Sequence, residues 1–162
     1  LDSHLNVWGS NGPTVIKWEQ GRLGYAIKLK EGKTLPLLGT ATGRVFLSYL
    51  PASETEVYLE KELAELRASP TGDQIMTMED VEKIQIEVQK HGVANAIGTH
   101  NFNIAGLSAP VFDREGKICM SISVLGVTGS FGSDLTGVTA NHVKAVTQEL
   151  SSRMGNRKTP KM

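Results

Sequence analysis

The chain has 162 residues, of which 17 are basic and 17 acidic, so it lacks the positive excess that direct nucleic-acid binding needs. Its 40% hydrophobic and 21% charged content is that of one globular domain, and no apolar run approaches the roughly 20 residues of a membrane helix. A single cysteine excludes an internal disulfide framework and a multi-cysteine zinc site; without a visible secretory signal, we expect a cytoplasmic protein with no membrane partner.

The first thirty residues are predicted to form strands. The segments HLNVW and TVIKWEQ flank GSNGP, whose composition is that of a hairpin loop. After Gly21, the segment LGYAIKLK places Leu23, Tyr25, Ile27 and Leu29 on one side of an alternating pattern. This alternation predicts a third, half-buried strand.

The segment LPLLGTATGR places small and hydrogen-bonding residues just before the helical run VFLSYL. A helix over residues 42–49 would begin on free backbone N–H groups, which attract anions, with a threonine as its cap and Gly43 packing closely. The spacing of Gly39 and Gly43, followed by Arg44 and Val45, departs from the triphosphate-binding loop G-x-x-x-x-G-K-[ST]. The segment therefore predicts either a structural turn or a site for the carboxylate of a small metabolite.

Two longer helices are predicted next. The segment SETEVYLEKELAELRAS starts on a serine that can cap a helix, and it carries leucines at helical spacing from Leu59 to Leu66. The segment TMEDVEKIQIEVQKHG has a capping box in Thr77 and Asp80. Gly92 stands where a helix-terminating glycine belongs.

The segment GLSAPVFDREGKICMSISVLG predicts a hairpin that turns at DREG. Side-chain alternation gives its second strand a bulky apolar face, formed by Ile118, Met120, Ile122 and Val124. The opposite face is smaller and more polar, with Cys119, Ser121, Ser123 and Leu125.

The register of this hairpin decides which small residues meet. The turn sequence leaves Phe112 facing Lys117. This register gives two further pairs, Gly106 with Ser123 and Ser108 with Ser121. A face with both space and hydroxyl groups is suited to line a ligand pocket. It is also suited to face solvent, as one side of an antiparallel sheet often does.

The C-terminal segment SDLTGVTANHVKAVTQELSSRMG predicts an amphipathic helix. Its inward face is predicted to hold Val138, Val143, Val146 and Leu150. Residues 156–162 are predicted to be a tail. The order of strands, helices, strands and a final helix argues for an α+β fold with an antiparallel sheet.

Several of these segments together resemble the effector-binding domain of IclR-family bacterial transcriptional regulators. They are GPTVIKW, EGKTLPLLGTATGRVFLSYLP, the long segment HGVANAIGTHNFNIAGLSAPVFDREGKICMSISVLG, and LSSRMG. The most specific parts are LPL-x-x-[ST]-A-x-G-[RK] and APVFD-x-x-G. The resemblance covers essentially the whole chain and implies a GAF-like α+β fold over residues 1–155, with a curved antiparallel sheet flanked by helices.

The resemblance also implies the partners. It implies a small-molecule effector, a homodimer or tetramer, and operator DNA bound only through an N-terminal winged helix-turn-helix domain that this chain lacks. The zero net charge and the missing initiator Met agree with such a fragment. Neither an enzymatic activity, nor a cofactor, nor a metal is expected.

Carried over position by position, the family's pocket wall falls on residues at the helix start and on the hairpin. These are Thr40, Ala41, Thr42, Ala96, Ile104, Gly106, Ser123 and Leu125. Two residues of the preceding strand, Tyr25 and Ile27, are expected to close the apolar side. Thr42 and Ser123 are the principal expected polar contacts, and replacing either with Val should weaken effector binding.

This chain departs from the family members that bind small polar keto acids. Those members commonly have Asp, Cys and Ser where this chain has Ala96, Gly106 and Leu125. Many also carry an acidic pair in place of Gly98 and Thr99. The departures predict a roomier and more apolar site, suited to an aromatic or apolar carboxylic acid, amide or hydrazide.

Two alternative functions stay open at this stage. Cys119 could act as a nucleophile with His100 or His91 as its base, although a cysteine between Ile118 and Met120 in a strand is usually an inert core residue. Otherwise the domain could serve only for dimerisation and keep a vestigial pocket. The four histidines are too widely spaced in the sequence to indicate a metal site.

Overall fold

The structure is a computed structural model that describes residues 1–22, 29–69, 77–101 and 103–157. Within these ranges it contains five strands and four helices. In chain order they are β1 Asp2–Gly9, β2 Gly12–Glu19, α1 Ala41–Tyr49, α2 Ala52–Ala68, α3 Met78–His91, β3 Ala94–Ile97, β4 Ile104–Phe112, β5 Ile118–Val127 and α4 Val138–Arg153. The strands form one antiparallel sheet in the order β2-β1-β5-β4-β3, which confirms the α+β class.

The sheet carries helices on both sides. The side that bears Ala96, Gly106 and Ser123 packs against α1 and is called the α1 face below. On the opposite side, the α4 face, Leu107 of β4 packs with Val143 of α4. The helices α2 and α3 lie outside α1, in an apolar cluster formed by Leu37, Leu38, Leu47, Leu59, Leu63 and Val81.

The two N-terminal strands form the predicted hairpin, in which β1 and β2 pair antiparallel. The strand predicted for LGYAIKLK falls largely on residues 23–28, which lie outside the described residues. The short strand β3 was not predicted from the sequence. Its four residues, Ala94–Ile97, pair with β4 at the edge of the sheet and are too few for an alternating pattern to stand out.

The helix N-termini follow the predicted capping residues in two cases out of three. Thr40 caps α1 and accepts a hydrogen bond from the N–H of Gly43. Thr77 and Asp80 form the capping box of α3, whose C-cap is left-handed Gly92 with φ 68°. The predicted serine cap of α2 is wrong: α2 begins at Ala52, and its N-cap is Pro51, which provides no side-chain cap. Ala52, a good helix former, extends the helix to one residue before Ser53, so the serine lies inside the first turn instead of capping it.

The predicted register of the β4–β5 hairpin is wrong by two residues. Ser108 pairs with Ser123, and Gly106 pairs with Leu125. One residue of the error comes from the turn, because the N–H of Asp113 bonds to the carbonyl of Lys117 and the turn begins one residue later than predicted. A bulge at Cys119 in β5 supplies the other.

Side chains alternate between the two faces of a sheet with a period of two residues. A register error of two residues therefore leaves each side chain on its predicted face, and most of the predicted faces are correct. Ile118 is the exception, because the bulge turns it away from Met120 and onto the α1 face beside Tyr49. The face with the serines does not face solvent. Ser108, Ser121 and Ser123 are buried.

The predicted inward face of α4 is only partly correct. Val143 is buried, but Val138 is 88% exposed and Val146 is 44% exposed. The buried stripe instead consists of Ala140, Val143, Thr147 and Ser151. The hydroxyls of Thr147 and Ser151 donate to carbonyls of their own helix, so they can be buried without unpaired donors. The apolar character of Val138 and Val146 therefore predicted the wrong buried positions for part of α4.

Gly43 is the position where α1 approaches the preceding segment most closely. A Cβ atom at this position would overlap backbone atoms of Pro36 and Leu37. We therefore expect Gly43→Ala to lower the free energy of unfolding by about 1–3 kcal/mol, although alanine is the better helix former. Chemical denaturation measures this loss. Gly132→Ala, whose Cβ meets only a side-chain oxygen at 4.0 Å, is the control and should change little; equal stability of both variants would contradict the close approach.

Candidate ligand-binding site

A cavity of about 560 Å³ lies on the α1 face. Its walls come from the N-terminus of α1, residues 29–35, residues 99–101, Asn103 and the strands β1, β3, β4 and β5. Ligand pockets in proteins have volumes of roughly 300–1,000 Å³, so this cavity has room for a small organic molecule.

The structure brings together every predicted site residue that it describes. Eight of them line this cavity: Thr40, Ala41, Thr42, Ala96, Ile104, Gly106, Ser123 and Leu125. Tyr25 and Ile27 fall on residues 23–28, outside the described part of the chain. That these residues bind a ligand stays a prediction.

Other lining residues were missed by sequence reasoning. They include His4, Leu29, Lys33, Leu35, Thr99, His100, Asn101, Asn103 and Val127. His4 had a signal, because β1 alternates the polar residues Asp2, His4 and Asn6. The sequence alone does not show that β1 pairs with β5. This pairing brings the polar residues of β1 next to Ser123.

Polar contacts hold the segment that leads into α1. The carboxylate of Glu62 accepts hydrogen bonds from the N–H groups of Leu37 at 2.7 Å and Leu38 at 2.9 Å. The guanidinium of Arg44 donates to the carbonyls of Leu38 and Asn95, both at 2.8 Å. Arg44 stands where a triphosphate-binding loop has lysine. Here it links the segment before α1 to β3 by hydrogen bonds.

The N-terminus of α1 presents backbone donors to the cavity. Thr40 accepts from the N–H of Gly43 at 2.9 Å and donates its hydroxyl proton to the carbonyl of Pro36 at 2.7 Å. The N–H groups of Ala41 and Thr42, in the first turn, have no acceptor within the helix. Because the helix dipole adds positive potential at this end, an anionic group is favoured there.

A buried hydrogen-bond network joins α1 to the sheet beneath the cavity. The hydroxyls of Thr42 and Ser123 lie 2.8 Å apart. The hydroxyl of Ser123 also lies 2.8 Å from that of Ser108 and accepts from the side-chain amide of Asn6 at 3.1 Å. One donor and two acceptor positions exhaust a serine hydroxyl, so Ser123 is occupied by protein groups.

His4 closes this network on the β1 side. Its Nδ1 lies 2.6 Å from the Oδ1 of Asn6, and its ring stacks on Trp18 with centroids 6.0 Å apart. The residue is only 5% exposed, and this burial lowers the pKa of His4 because desolvation penalises the charged imidazolium more than the bond to Asn6 favours it.

Cys119 does not have the surroundings of an activated nucleophile. Its thiol donates to the carbonyl of Val111 at 3.4 Å, and the cavity lining does not include it. Burial, with a smaller effect from Asp113, raises the pKa of Cys119 and so disfavours the reactive thiolate. Within the described residues, neither His91 nor His100 bonds to this thiol.

The described residues offer neither a metal site nor a membrane-spanning helix. No group of three or more His, Cys, Asp or Glu side chains is arranged to hold a metal ion there. No helix among those residues is long and apolar enough to cross a membrane.

Comparison with known proteins identifies the family. The model of the bacterial transcriptional regulator IclR C-terminal domain matches residues 4–152, which is nearly the whole chain. The chain belongs to the IclR family. The crystal structure of HmgR from Pseudomonas aeruginosa is similar, with a TM-score of 0.85 and 31% sequence identity over 98% of this chain and 61% of that one.

Further relatives agree with this IclR-family assignment. The transcriptional regulator KipR of Bacillus subtilis is 28% identical over 127 residues, which are 76% of this chain and 48% of KipR. The IclR structure from Thermotoga maritima has a TM-score of 0.78 at 20% identity, covering 95% of this chain and 61% of that one, and it supports the GAF-like fold. The chain thus spans about half of KipR and three fifths of HmgR.

The lowered pKa of His4 predicts a loss of stability in mild acid. The unfolded chain binds a proton at His4 near its ordinary pKa of about 6.5, whereas the folded chain does not until a lower pH. The free energy of unfolding should therefore fall below pH 6.5, by at most about 1.4 kcal/mol per pH unit for this group.

Denaturation curves between pH 7.5 and about 5 measure this effect when each variant is compared with the wild-type protein. His4→Asn should flatten the fall, whereas the exposed control His142→Asn should retain it. An unchanged pH dependence in His4→Asn would contradict the assignment.

Proposed function

We propose that this domain senses a small organic effector in the cavity on the α1 face. The observation that carries the proposal is the charge pattern of the lining. Among the described lining residues, Lys33 is the one with a formal charge at neutral pH, and no carboxylate lines the cavity. Together with the first-turn N–H groups of Ala41 and Thr42, Lys33 favours an anionic group on the ligand.

The rest of the lining favours an apolar ligand body. Leu29, Leu35, Ile104, Leu125 and Val127 contribute apolar side chains to the walls. Gly106 leaves room for at least a methyl group. A Cβ atom at this position would lie at ordinary contact distances, 3.5 Å from the carbonyl of Val124 and 3.9 Å from Ala41. An aromatic or apolar carboxylic acid, or its amide or hydrazide, suits such a cavity better than a two- or three-carbon keto acid.

Thr42 is the better of the two predicted polar contacts. The single proton of Ser123 goes to Ser108, so the Thr42 hydroxyl donates its own proton to Ser123, and its oxygen can still accept a hydrogen bond from an N–H or O–H group of a ligand. The hydroxyl of Ser123 is occupied by Thr42, Ser108 and Asn6, so its role is to hold Thr42 and the α1 N-terminus in position.

The proposed output is a change in operator binding. Effector binding would favour one arrangement of subunits in a homodimer or tetramer, and winged helix-turn-helix domains elsewhere in a cytoplasmic regulator would respond. A coupling of about 1–3 kcal/mol would change operator affinity between fivefold and about a hundredfold. The names of KipR and the other relatives as regulators support this output.

A domain that served only for dimerisation would keep the fold without binding a ligand. A thermal-shift panel of aliphatic acids, aromatic acids and their amides and hydrazides separates the two functions. We expect saturable stabilisation of a few degrees by one class of apolar or aromatic compound. No shift with any compound would favour the dimerisation module and contradict the sensor.

Thr42→Val tests the position of the site. The variant keeps the shape of the side chain but loses its hydroxyl, so we expect about tenfold weaker binding of the stabilising compound in calorimetry, with the fold retained. Thr55→Val is the matched control, because Thr55 is also buried but lies on α2, away from the cavity lining. Equal affinities of the two variants would contradict the placement.

Gly106→Ala tests the proposed role of space. A methyl group fits there without a clash, so stability should be unchanged or slightly raised. Because the methyl group projects into the cavity, the affinity for ring-containing acids should fall several-fold, with no new binding of acetate or pyruvate. Calorimetry with both kinds of acid measures the change. Unaltered affinity for the ring-containing acid would place the ligand elsewhere.

A further inference from the structure

His4 stands at the β1 end of the cavity, at the edge of the buried hydrogen-bond network. It is opposite Ser123 of β5 in the sheet, and it lines the cavity while being only 5% exposed. Trp18 packs against its ring from β2. The imidazole is therefore held by Trp18 of β2 and by Asn6 of its own strand.

The contacts of Asn6 determine the orientation of its amide. The side-chain nitrogen of Asn6 faces the carbonyl oxygens of His4 at 3.5 Å and Ser121 at 3.3 Å, which can only accept. The atom opposite His4 is consequently the amide oxygen, which also can only accept. The Nδ1 of His4, at 2.6 Å from that oxygen, must carry a proton and donate it.

The other ring nitrogen of His4 is left as an acceptor. Burial disfavours the charged ring, so a proton on Nδ1 leaves Nε2 with a lone pair. Among the described residues, no group donates a hydrogen bond to Nε2. An acceptor in a cavity wall that has no protein donor is a group that a ligand can satisfy.

We propose that His4 selects effectors that carry a hydrogen-bond donor, a hydroxyl or N–H group, at the end of the molecule away from the acidic group. This inference rests on the proposed function and deepens it. Thr42 of α1 contacts Ser123 on β5, and β1 is the next strand. One to two strand spacings, about 5–10 Å, therefore separate the anion-favouring helix end from His4. A hydroxyl on an aromatic acid spans such a distance.

The expected selectivity has a physical basis in desolvation. A ligand with a donor forms a hydrogen bond to Nε2 in place of the one that water makes. A ligand with a methyl group in the same place removes the water and leaves the lone pair unpaired. A site built around such an acceptor strongly rejects analogues that lack the donor. An apolar site rejects analogues of the wrong size less strongly.

Matched pairs of probes test the inference by calorimetry on the domain. The pairs are 4-hydroxybenzoate with 4-methylbenzoate and 3-hydroxybenzoate with 3-methylbenzoate, because methyl and hydroxyl are close in size. We expect at least one hydroxy acid to bind about tenfold more tightly than its methyl partner.

Two substitutions locate the preference on Nε2. An asparagine side chain places its N–H donor near the position of Nδ1, so His4→Asn keeps the bond to Asn6 but lacks an acceptor at the position of Nε2. A glutamine side chain reaches the position of Nε2 and offers its carbonyl oxygen there. The preference for hydroxyl should fall below about twofold in His4→Asn, persist in His4→Gln, and be unchanged in the surface control His142→Asn.

The outcomes separate this inference from the proposed function. If wild-type protein binds the hydroxy and methyl acids equally, or if His4→Asn keeps the preference, the role of His4 is overturned while the sensor function stands. If no aromatic, aliphatic or amide probe binds wild-type protein, the sensor function fails and the role of His4 fails with it. A melting temperature of His4→Asn close to that of wild type shows that a lost preference is not a lost fold.

Discussion

The cavity depends on the segment from Leu35 to Thr40, which is fixed in place by hydrogen bonds from distant parts of the chain. Glu62 of α2 accepts from its backbone N–H groups, Arg44 of α1 donates to one of its carbonyls, and the hydroxyl of Thr99 donates to the carbonyl of Gly39 at 2.7 Å. These contacts hold a segment without regular structure, and they set the place where α1 begins. Because Gly43 lets α1 approach this segment, the first turn of the helix lies over the sheet with its donors toward the cavity.

Beneath the cavity, polar residues replace the usual apolar core. Ser108, Ser121, Ser123 and Asn6 are buried and hydrogen-bonded to one another or to backbone groups, so their burial leaves few unpaired groups. Such a network fixes side-chain positions more narrowly than apolar packing does, because each bond requires a direction. Its two ends are Thr42, below the helix N-terminus, and His4, at the β1 wall, which are the polar groups that we assign to the ligand.

Local signals in the sequence predicted the helices, the hairpins and most side-chain faces of β4 and β5, but only part of the buried face of α4. Capping residues such as Thr40 and Thr77 act over three residues, and alternation in β4 and β5 needs only the strand itself. The failures depend on information that no short segment carries. The bulge at Cys119 changed the register, and the pairing of β1 with β5 brought His4 to the cavity. The resemblance to IclR-family regulators supplied the remaining site residues, which local patterns could not have gathered from four separate parts of the chain.

The most direct test of the central claim is an NMR titration of the ¹⁵N-labelled domain with whichever acid stabilises it most. A second cavity of about 480 Å³ lies on the other side of the segment from Leu35 to Gly39, between it and α2, and its lining includes Tyr58, Lys61 and Leu66. We expect the largest amide shifts on Ala41, Thr42, Gly106 and Ser123, around the cavity on the α1 face. Saturating shifts confined to α2 and the residues around Tyr58 would contradict it.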